Sequence, residues 1–168
     1  MPNHVLNEIV FADMPVEVRN AILDKCINEK GHVDFEILLP LPLNLWPGSV
    51  STRHEKTFPG TRLDAAKSIW GTKWNAYHQA DRDRSEFLNG PLTLVFQSAW
   101  RPPYGWIMAV FNTFKPKFVH TWLDEGATRA RVGKYDYSFV KNFNGDPWSE
   151  DDADDETHRR IHKMMWGR

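Results

Sequence analysis

Aromatic, cationic and amide side chains are concentrated in one short segment, residues 70–77. Its eight residues include two tryptophans, a tyrosine, a glycine, a lysine and a carboxamide. An indole face can stack on a flat ring, a lysine can pair with a phosphate, and a carboxamide can read a base edge. The glycine can let a ligand approach the backbone closely. The segment is therefore predicted to bind a flat or anionic ligand through Trp70, Lys73, Trp74 and Asn75.

A second cluster of similar residues follows about thirty residues later, at Trp100, Arg101 and Tyr104. Arg101 can pair with a phosphate or a carboxylate through two parallel hydrogen bonds. A helix is predicted to begin at Tyr104, and backbone amides at a helix start attract anions. Both clusters also have a purely structural interpretation. The first two tryptophans could anchor a long loop to the core, with the lysine in solvent, and Trp100 could be buried in a rigid turn.

Histidines provide the main test for an enzyme. His4 and His120 lie on predicted strands, as in 2H phosphoesterases, but neither is followed two residues later by the hydroxyl side chain that those enzymes use. His158 and His162 have a spacing that can bind zinc, yet Arg159 stands where a zinc protease has its glutamate. The sequence contains no phosphate-binding glycine loop and no nucleophile elbow. We therefore predict no catalytic residues, no metal site and no cofactor.

Composition and charge restrict the classes of function. The chain has 168 residues, of which 41% are hydrophobic and 13% aromatic, so that some rings are available for a surface as well as for one core. A net charge of −1 argues against a duplex nucleic-acid partner. The single cysteine, Cys26, excludes an internal disulfide. The sequence shows no signal-like start and no long apolar run, so we expect a cytoplasmic protein with no membrane partner.

Hydrophobic periodicity predicts the elements that position these clusters. Strands are predicted at residues 4–11, 34–39, 92–99, 118–123 and 128–137. Helices are predicted at residues 15–27, 63–70, 104–114 and 157–166, and the segment 70–77 is expected to be extended. Without a long loop insertion at about residues 43–85, the order is strand, helix, strand, strand, helix, strand, followed by an extra strand. That order predicts an α+β fold, the ferredoxin-like sandwich, with two helices on one face of an antiparallel sheet.

The C-terminal part differs from the rest in charge. Residues 1–140 are assigned to the ferredoxin-like domain, and residues 141–168 to an acidic connector and a short helix. Acidic side chains cluster at residues 146–156, and basic ones follow at residues 159–163. Acid before base is the order that the helix dipole favours. We expect the acidic block to be a solvated connector, and the alternative is an interaction tail.

Four motifs can be compared with known families: Trp-Gly-Thr-Lys-Trp-Asn-Ala at residues 70–76, Pro-Asn-His-Val at 2–5, Leu-Pro-Leu-Pro at 39–42, and Ser-Ala-Trp-Arg-Pro-Pro at 98–103. Together they resemble a YubB-like family of small phage- and plasmid-encoded proteins with a ferredoxin-like domain. The resemblance covers about residues 2–125. It implies the fold and a mobile-element context, and it assigns no activity to particular residues. Arg101 departs from the smaller polar residue of that family and adds a cation beside Trp100.

Three functions are compatible with these features. The first is a non-catalytic phage or plasmid accessory protein that counters host defence by sequestering a nucleotide-like signalling molecule in the host cytoplasm. The second is a protein–protein inhibitor, similar to an anti-CRISPR, that masks a host defence complex through the acidic block and surplus rings. The third is a small nucleotide hydrolase. Exposed sheet edges in this fold can pair, which is compatible with a homodimer.

Overall fold

The chain folds around a five-stranded antiparallel sheet with the strand order β2-β1-β3-β4-β5. The computed structural model describes residues 3–46, 60–138 and 148–167. The strands are β1 (His4–Phe11), β2 (Thr93–Ala99), β3 (Phe118–Asp124), β4 (Arg131–Tyr135) and β5 (Trp148–Asp152). The helices are α1 (Val16–Cys26), α2 (Phe35–Leu38), α3 (Arg62–Ile69), α4 (Tyr104–Phe114) and α5 (Asp155–Trp166), with a 3₁₀ turn at Arg84–Phe87.

Strand β1 shows how the sheet separates two packing layers. Its side chains alternate between faces, so Ile9 and Phe11 enter the main core while Leu6 packs on the opposite face. Helices α1 and α4 cover the main core, and Cys26 is fully buried there. β1 is antiparallel to both β2 and β3, and α4 connects those two strands across it. The predicted α+β, ferredoxin-like class is confirmed.

Helix α5 packs on the other face of the sheet. Ile161 is fully buried there against Leu6 and Leu123, and Ala130 and Ala153 complete this smaller cluster. The Asp154 side chain caps the helix by accepting a hydrogen bond from the Thr157 amide at 2.7 Å. Within the described ranges, no helix is long and apolar enough to cross a membrane.

The predicted second strand at residues 34–39 is wrong, because this segment forms the short helix α2. Its apolar alternation is typical of a strand, but Asp34 acts as a helix cap and accepts a hydrogen bond from the Glu36 amide at 3.0 Å. Phe35 then turns fully into the core. Among the described residues, the position outside β2, where a second strand would pair, holds an isolated bridge between Tyr77 and Gln97.

The remaining predicted strands and helices are present, with ends that differ by a few residues. The acidic block is the main difference, because residues 148–152 form the edge strand β5 rather than a connector. Arg131 on β4 contacts Glu150 at 2.9 Å and Asp152 at 3.4 Å, which offsets the charge of this strand. Residues 47–59 of the predicted loop insertion and residues 141–147 of the predicted connector lie outside the described residues.

Candidate functional site

The segment at residues 70–77 is a bent loop rather than an extended strand, and its first ring is buried. Helix α3 begins with a capping box between Thr61 and Asp64, and Trp70 is the capping residue after its C-terminal end. The Trp70 side chain is 2% exposed, packs edge-on against Phe35, and donates a hydrogen bond from Nε1 to the Leu39 carbonyl at 2.8 Å. Trp70 therefore belongs to the core, and it is not among the residues that line the cavity described below, although it was predicted to bind a ligand.

Two further residues of the loop hold it against the end of β2. The Thr72 hydroxyl donates to the Ala99 carbonyl at 2.7 Å and accepts from the Ala99 amide at 3.2 Å. Tyr77 exchanges backbone hydrogen bonds with Gln97 at 2.9 and 3.0 Å. Between these attachments, the Lys73 and Trp74 side chains reach the surface. The loop is thus attached at both ends, with a half-buried Lys73 and an exposed Trp74 between them.

Lys73 lies between two exposed indoles. Its Nζ atom is 5.6 Å from the centre of the Trp74 ring and 5.3 Å from the centre of the Trp100 ring. Both rings are partly in solvent, with Trp74 42% and Trp100 58% exposed. An ammonium within about 6 Å of a ring centre is attracted to it by a cation–π interaction. This arrangement joins the two sequence clusters into one site.

A cavity of about 340 Å³ opens beside these side chains. The residues that line it include the cations Lys67, Lys73 and Arg101, together with Gly71 and Thr72. Across the described residues, none of the three cations takes part in an ion pair within 4.0 Å. No acidic side chain is among the described residues that line the cavity. The cavity can therefore accept an anion.

Trp100 has a strained backbone at this cavity. Its φ angle is 75°, in the left-handed region that bulky residues rarely adopt. The Trp100 amide donates to the Asn3 carbonyl at 2.8 Å, and the Arg101 carbonyl accepts a hydrogen bond from the Ser98 hydroxyl at 2.9 Å. Strained backbone of this kind clusters at ligand sites, where the surrounding contacts maintain it. The Trp100 side chain at this position is 58% exposed.

The start of helix α4 does not provide the free amides that were predicted to attract an anion. The Tyr104 amide donates to the Pro102 carbonyl at 2.9 Å. The Gly105 and Trp106 amides donate to the Trp70 carbonyl at 3.0 and 3.3 Å. The end of α3 thus satisfies the first turn of α4. The positive charges at this site are therefore those of the side chains of Lys67, Lys73 and Arg101.

Two more predicted ligand-binding residues have structural partners. The Asn75 side chain accepts a hydrogen bond from the Phe35 amide at 2.8 Å and donates to Asp34 at 2.7 Å. It connects the loop to α2 and is not free to read a base edge. The Tyr104 ring packs against Trp122, outside the cavity lining, and burial, reinforced by Glu150, raises its pKa to about 12.

Lys67 is a cavity residue that the sequence reasoning missed. It lies in the last turn of α3, four residues before Gly71. The segment was predicted to be helical, and residues four apart share a helix face. That spacing is the signal that would have placed Lys67 beside the loop. Among the predicted residues, Lys73, Trp100 and Arg101 line the cavity, and Trp74 flanks it.

His120 and His158 form hydrogen bonds within the fold. His120 is fully buried, and its Nε2 atom lies 3.0 Å from the Asn7 amide oxygen. Burial lowers the pKa of His120 to about 3, so this imidazole is neutral near pH 7. The His158 Nδ1 atom accepts a hydrogen bond from the Ala130 amide at 3.2 Å. In the described part of the chain, no group of three or more side chains is arranged to hold a metal ion.

Comparison with protein-family models identifies the family of this chain. A family model described as the ferredoxin-like domain in Api92-like protein matches residues 72–164, more than half of the chain. The chain belongs to this family. The Api92-like match begins at Thr72, includes Lys73, Trp100 and Arg101, and continues through β5 into α5. The acidic strand and the last helix are therefore part of the Api92-like domain.

Neither the curated proteins nor the solved structures include a match to this chain.

Proposed function

We propose that this Api92-like protein is a non-catalytic binding protein that captures a small nucleotide-like molecule. The observation that supports this most directly is the position of Lys73 between the indoles of Trp74 and Trp100, at the mouth of a cavity with two more cations. A nucleotide has a flat base for an indole face and phosphates for the cations. The site therefore offers a partner to each half of such a ligand.

A small ligand fits this site better than a duplex. The net charge of the chain is −1, whereas a protein that binds duplex nucleic acid through phosphates usually carries a basic surface. The positive charge that this proposal needs comes from the three cationic side chains that line the cavity, and it does not require a basic surface over the whole protein. The volume of about 340 Å³ falls within the range of about 300–1,000 Å³ that is typical of small-molecule sites.

The biological context of the proposal comes from the sequence. Residues 71–73 and 99–101 line the cavity, and they belong to two of the motifs that resemble a YubB-like family. That resemblance implies a phage or plasmid protein. We propose that the protein acts in the host cytoplasm and counters host defence by sequestering a signalling nucleotide. Masking of a host defence complex by the acidic block receives less support, because Glu150 and Asp152 are paired with Arg131.

The test is ligand binding followed by thermal shift and calorimetry. The panel contains ATP, ADP, AMP, ADP-ribose and cyclic di-AMP, and a ligand present at 100 times its Kd should stabilise the fold by about 2.7 kcal/mol. Trp100→Asn removes the ring while keeping a residue that tolerates a left-handed backbone. Trp166→Asn removes an exposed indole on α5 and serves as the matched control.

We expect Trp100→Asn to weaken binding at least about tenfold, because stacking on an indole contributes about 1–3 kcal/mol per base. Trp166→Asn should bind like the unmodified protein. The proposal fails if no member of the panel binds, or if Trp100→Asn and Trp166→Asn bind every ligand equally well.

A further inference from the structure

We infer that the ligand of this cavity is a nucleoside polyphosphate with a single base, recognised by its phosphates with little selection among bases. This inference rests on the proposed function and specifies the ligand. The charge of the cavity is its first support. Lys67, Lys73 and Arg101 bring three positive charges to one cavity, and within the described ranges no carboxylate lies within 4.0 Å of them, with Asp64 interacting with Lys67 at longer range. A ligand with two or more phosphates matches that charge best.

The three cations differ in how they can bind phosphates. Arg101 carries a planar guanidinium that can hold one phosphate through two hydrogen bonds. Lys67 and Lys73 are flexible point charges and can reach neighbouring oxygens of a second phosphate. Lys73 now lies over the Trp100 ring, and a bound phosphate would draw its ammonium away from that ring face. The same movement would uncover the indole for a base.

The size and the rings of the site indicate one base. A volume of about 340 Å³ is near the lower end of the range for small-molecule sites. Trp100 is the aromatic side chain among the described residues that line the cavity, and Trp74 lies beyond Lys73. A cyclic dinucleotide has two bases but only two phosphate charges. It would leave one base without a ring and would match the three cations less well.

We expect weak selection among bases because the side chains that could read a base edge are already hydrogen-bonded within the protein. Asn75 is occupied by Phe35 and Asp34, and the Thr72 hydroxyl is occupied by Ala99. No side-chain amide is among the described lining residues. Stacking on an indole tolerates every base because each has a π-face. The phosphates are therefore the part of the ligand that this site distinguishes.

The experiment is a calorimetric series on the full chain with adenosine, AMP, ADP and ATP, followed by GDP, CDP and UDP, and by cyclic di-AMP. We expect affinity to rise about tenfold or more from AMP to ADP, since an added phosphate gains charge-assisted hydrogen bonds. Adenosine should bind weakest, and the four nucleoside diphosphates should agree within about tenfold. Binding should weaken as salt increases, because the contacts are ionic.

Two variants locate the effect in the cavity. Lys67→Gln should reduce the ADP-to-AMP affinity ratio about tenfold while leaving adenosine binding unchanged, because it removes a phosphate contact and no ring. Lys134→Gln, on the exposed part of β4 outside the cavity, should leave every affinity unchanged. Thermal unfolding without ligand checks that both variants are folded, and both positions are exposed in the structure.

The outcomes separate this inference from the proposed function. Tighter binding of cyclic di-AMP than of ADP overturns the inference and leaves the proposed function in place. Equal affinity for AMP and ADP, or a preference of more than about tenfold for one base, also overturns the inference alone. If no nucleotide in the series binds, the proposed function and the inference fail together.

Discussion

Glu8 and Arg160 form a two-point ion pair that connects the first strand to the last helix. The Arg160 guanidinium donates to the two carboxylate oxygens of Glu8 at 2.6 and 2.7 Å. The Glu8 side chain is 7% exposed, while that of Arg160 is 48% exposed. The pair spans 152 positions of the sequence and fixes α5 on the outer face of the sheet.

Loss of this pair should destabilise the docking of α5. We expect Arg160→Gln to lower the free energy of unfolding by about 1–3 kcal/mol, because the Glu8 carboxylate is left buried without its charged partner. Urea denaturation measures the loss, and hydrogen exchange should show faster exchange in α5. Arg159→Gln is the control, since Arg159 is exposed and donates only to the Asp155 carbonyl among described groups. Equal losses in both variants would contradict this role.

The two tryptophans of the loop should respond differently to truncation. Trp70→Ala should cost about 3–5 kcal/mol of unfolding free energy, because it leaves a cavity in the core beside Phe35. Trp74→Ala should cost less, about 1 kcal/mol, because that ring is 42% exposed and its ring contacts are with Lys73 and with the edge of Tyr77. Urea denaturation of both variants is the measurement. Similar costs for the two would refute the buried placement of Trp70.

Gly105 should not tolerate a side chain, although it lies in the first turn of helix α4. A Cβ atom at this position would lie 2.1 Å from the Ile69 carbonyl oxygen. In an open helix, Gly→Ala would stabilise the protein by up to about 1 kcal/mol. Here Gly105→Ala should instead destabilise it, as measured by thermal unfolding.

Gly126→Ala is the comparison for that variant. Its Cβ atom would meet a flexible side-chain oxygen of Asp124 at 3.3 Å, and its backbone has no left-handed angle. We expect a change of less than about 1 kcal/mol at this position. A melting temperature of Gly105→Ala at or above that of the unmodified protein would contradict the close contact between α3 and α4 at Gly105.

Burial of His120 should make stability depend on pH. Its pKa is lowered to about 3 in the fold, whereas an unfolded histidine has a pKa of about 6.5. Between these values the unfolded chain binds a proton that the folded chain does not. The free energy of unfolding should therefore fall as pH decreases through this window, by up to about 1.4 kcal/mol per pH unit from this group.

The measurement is urea denaturation at pH 7, 6 and 5. His120→Gln removes the titrating group and retains an amide donor for Asn7, so its stability should fall less steeply than that of the unmodified protein. His162→Gln, at an exposed position on α5, should keep the full slope. Parallel pH dependence in the His120→Gln variant and the unmodified protein would rule out the buried imidazole as the cause.

Much of the fold could be predicted because its elements have strong local patterns. Alternation across residues 92–99 and the apolar stripe of residues 104–114 each identify one element without information from the rest of the chain. The acidic strand at residues 148–152 has no such pattern. It depends on pairing with β4 and on Arg131, which contacts Glu150 and Asp152. The short helix at residues 35–38 likewise depends on contacts between Asp34 and the distant Asn75.

The ferredoxin-like class, the two clusters of rings and cations, and the lack of a recognisable catalytic motif could all be read from the order of residues alone. The three-dimensional packing was needed to show that Trp70 is in the core and that Trp100 and Lys73 meet at a cavity. Residue type and local spacing do not specify which indole is buried, because burial depends on contacts with chain segments far away in the sequence. The contact of Trp70 with Leu39, and that of Lys73 with Trp100, are both of this kind.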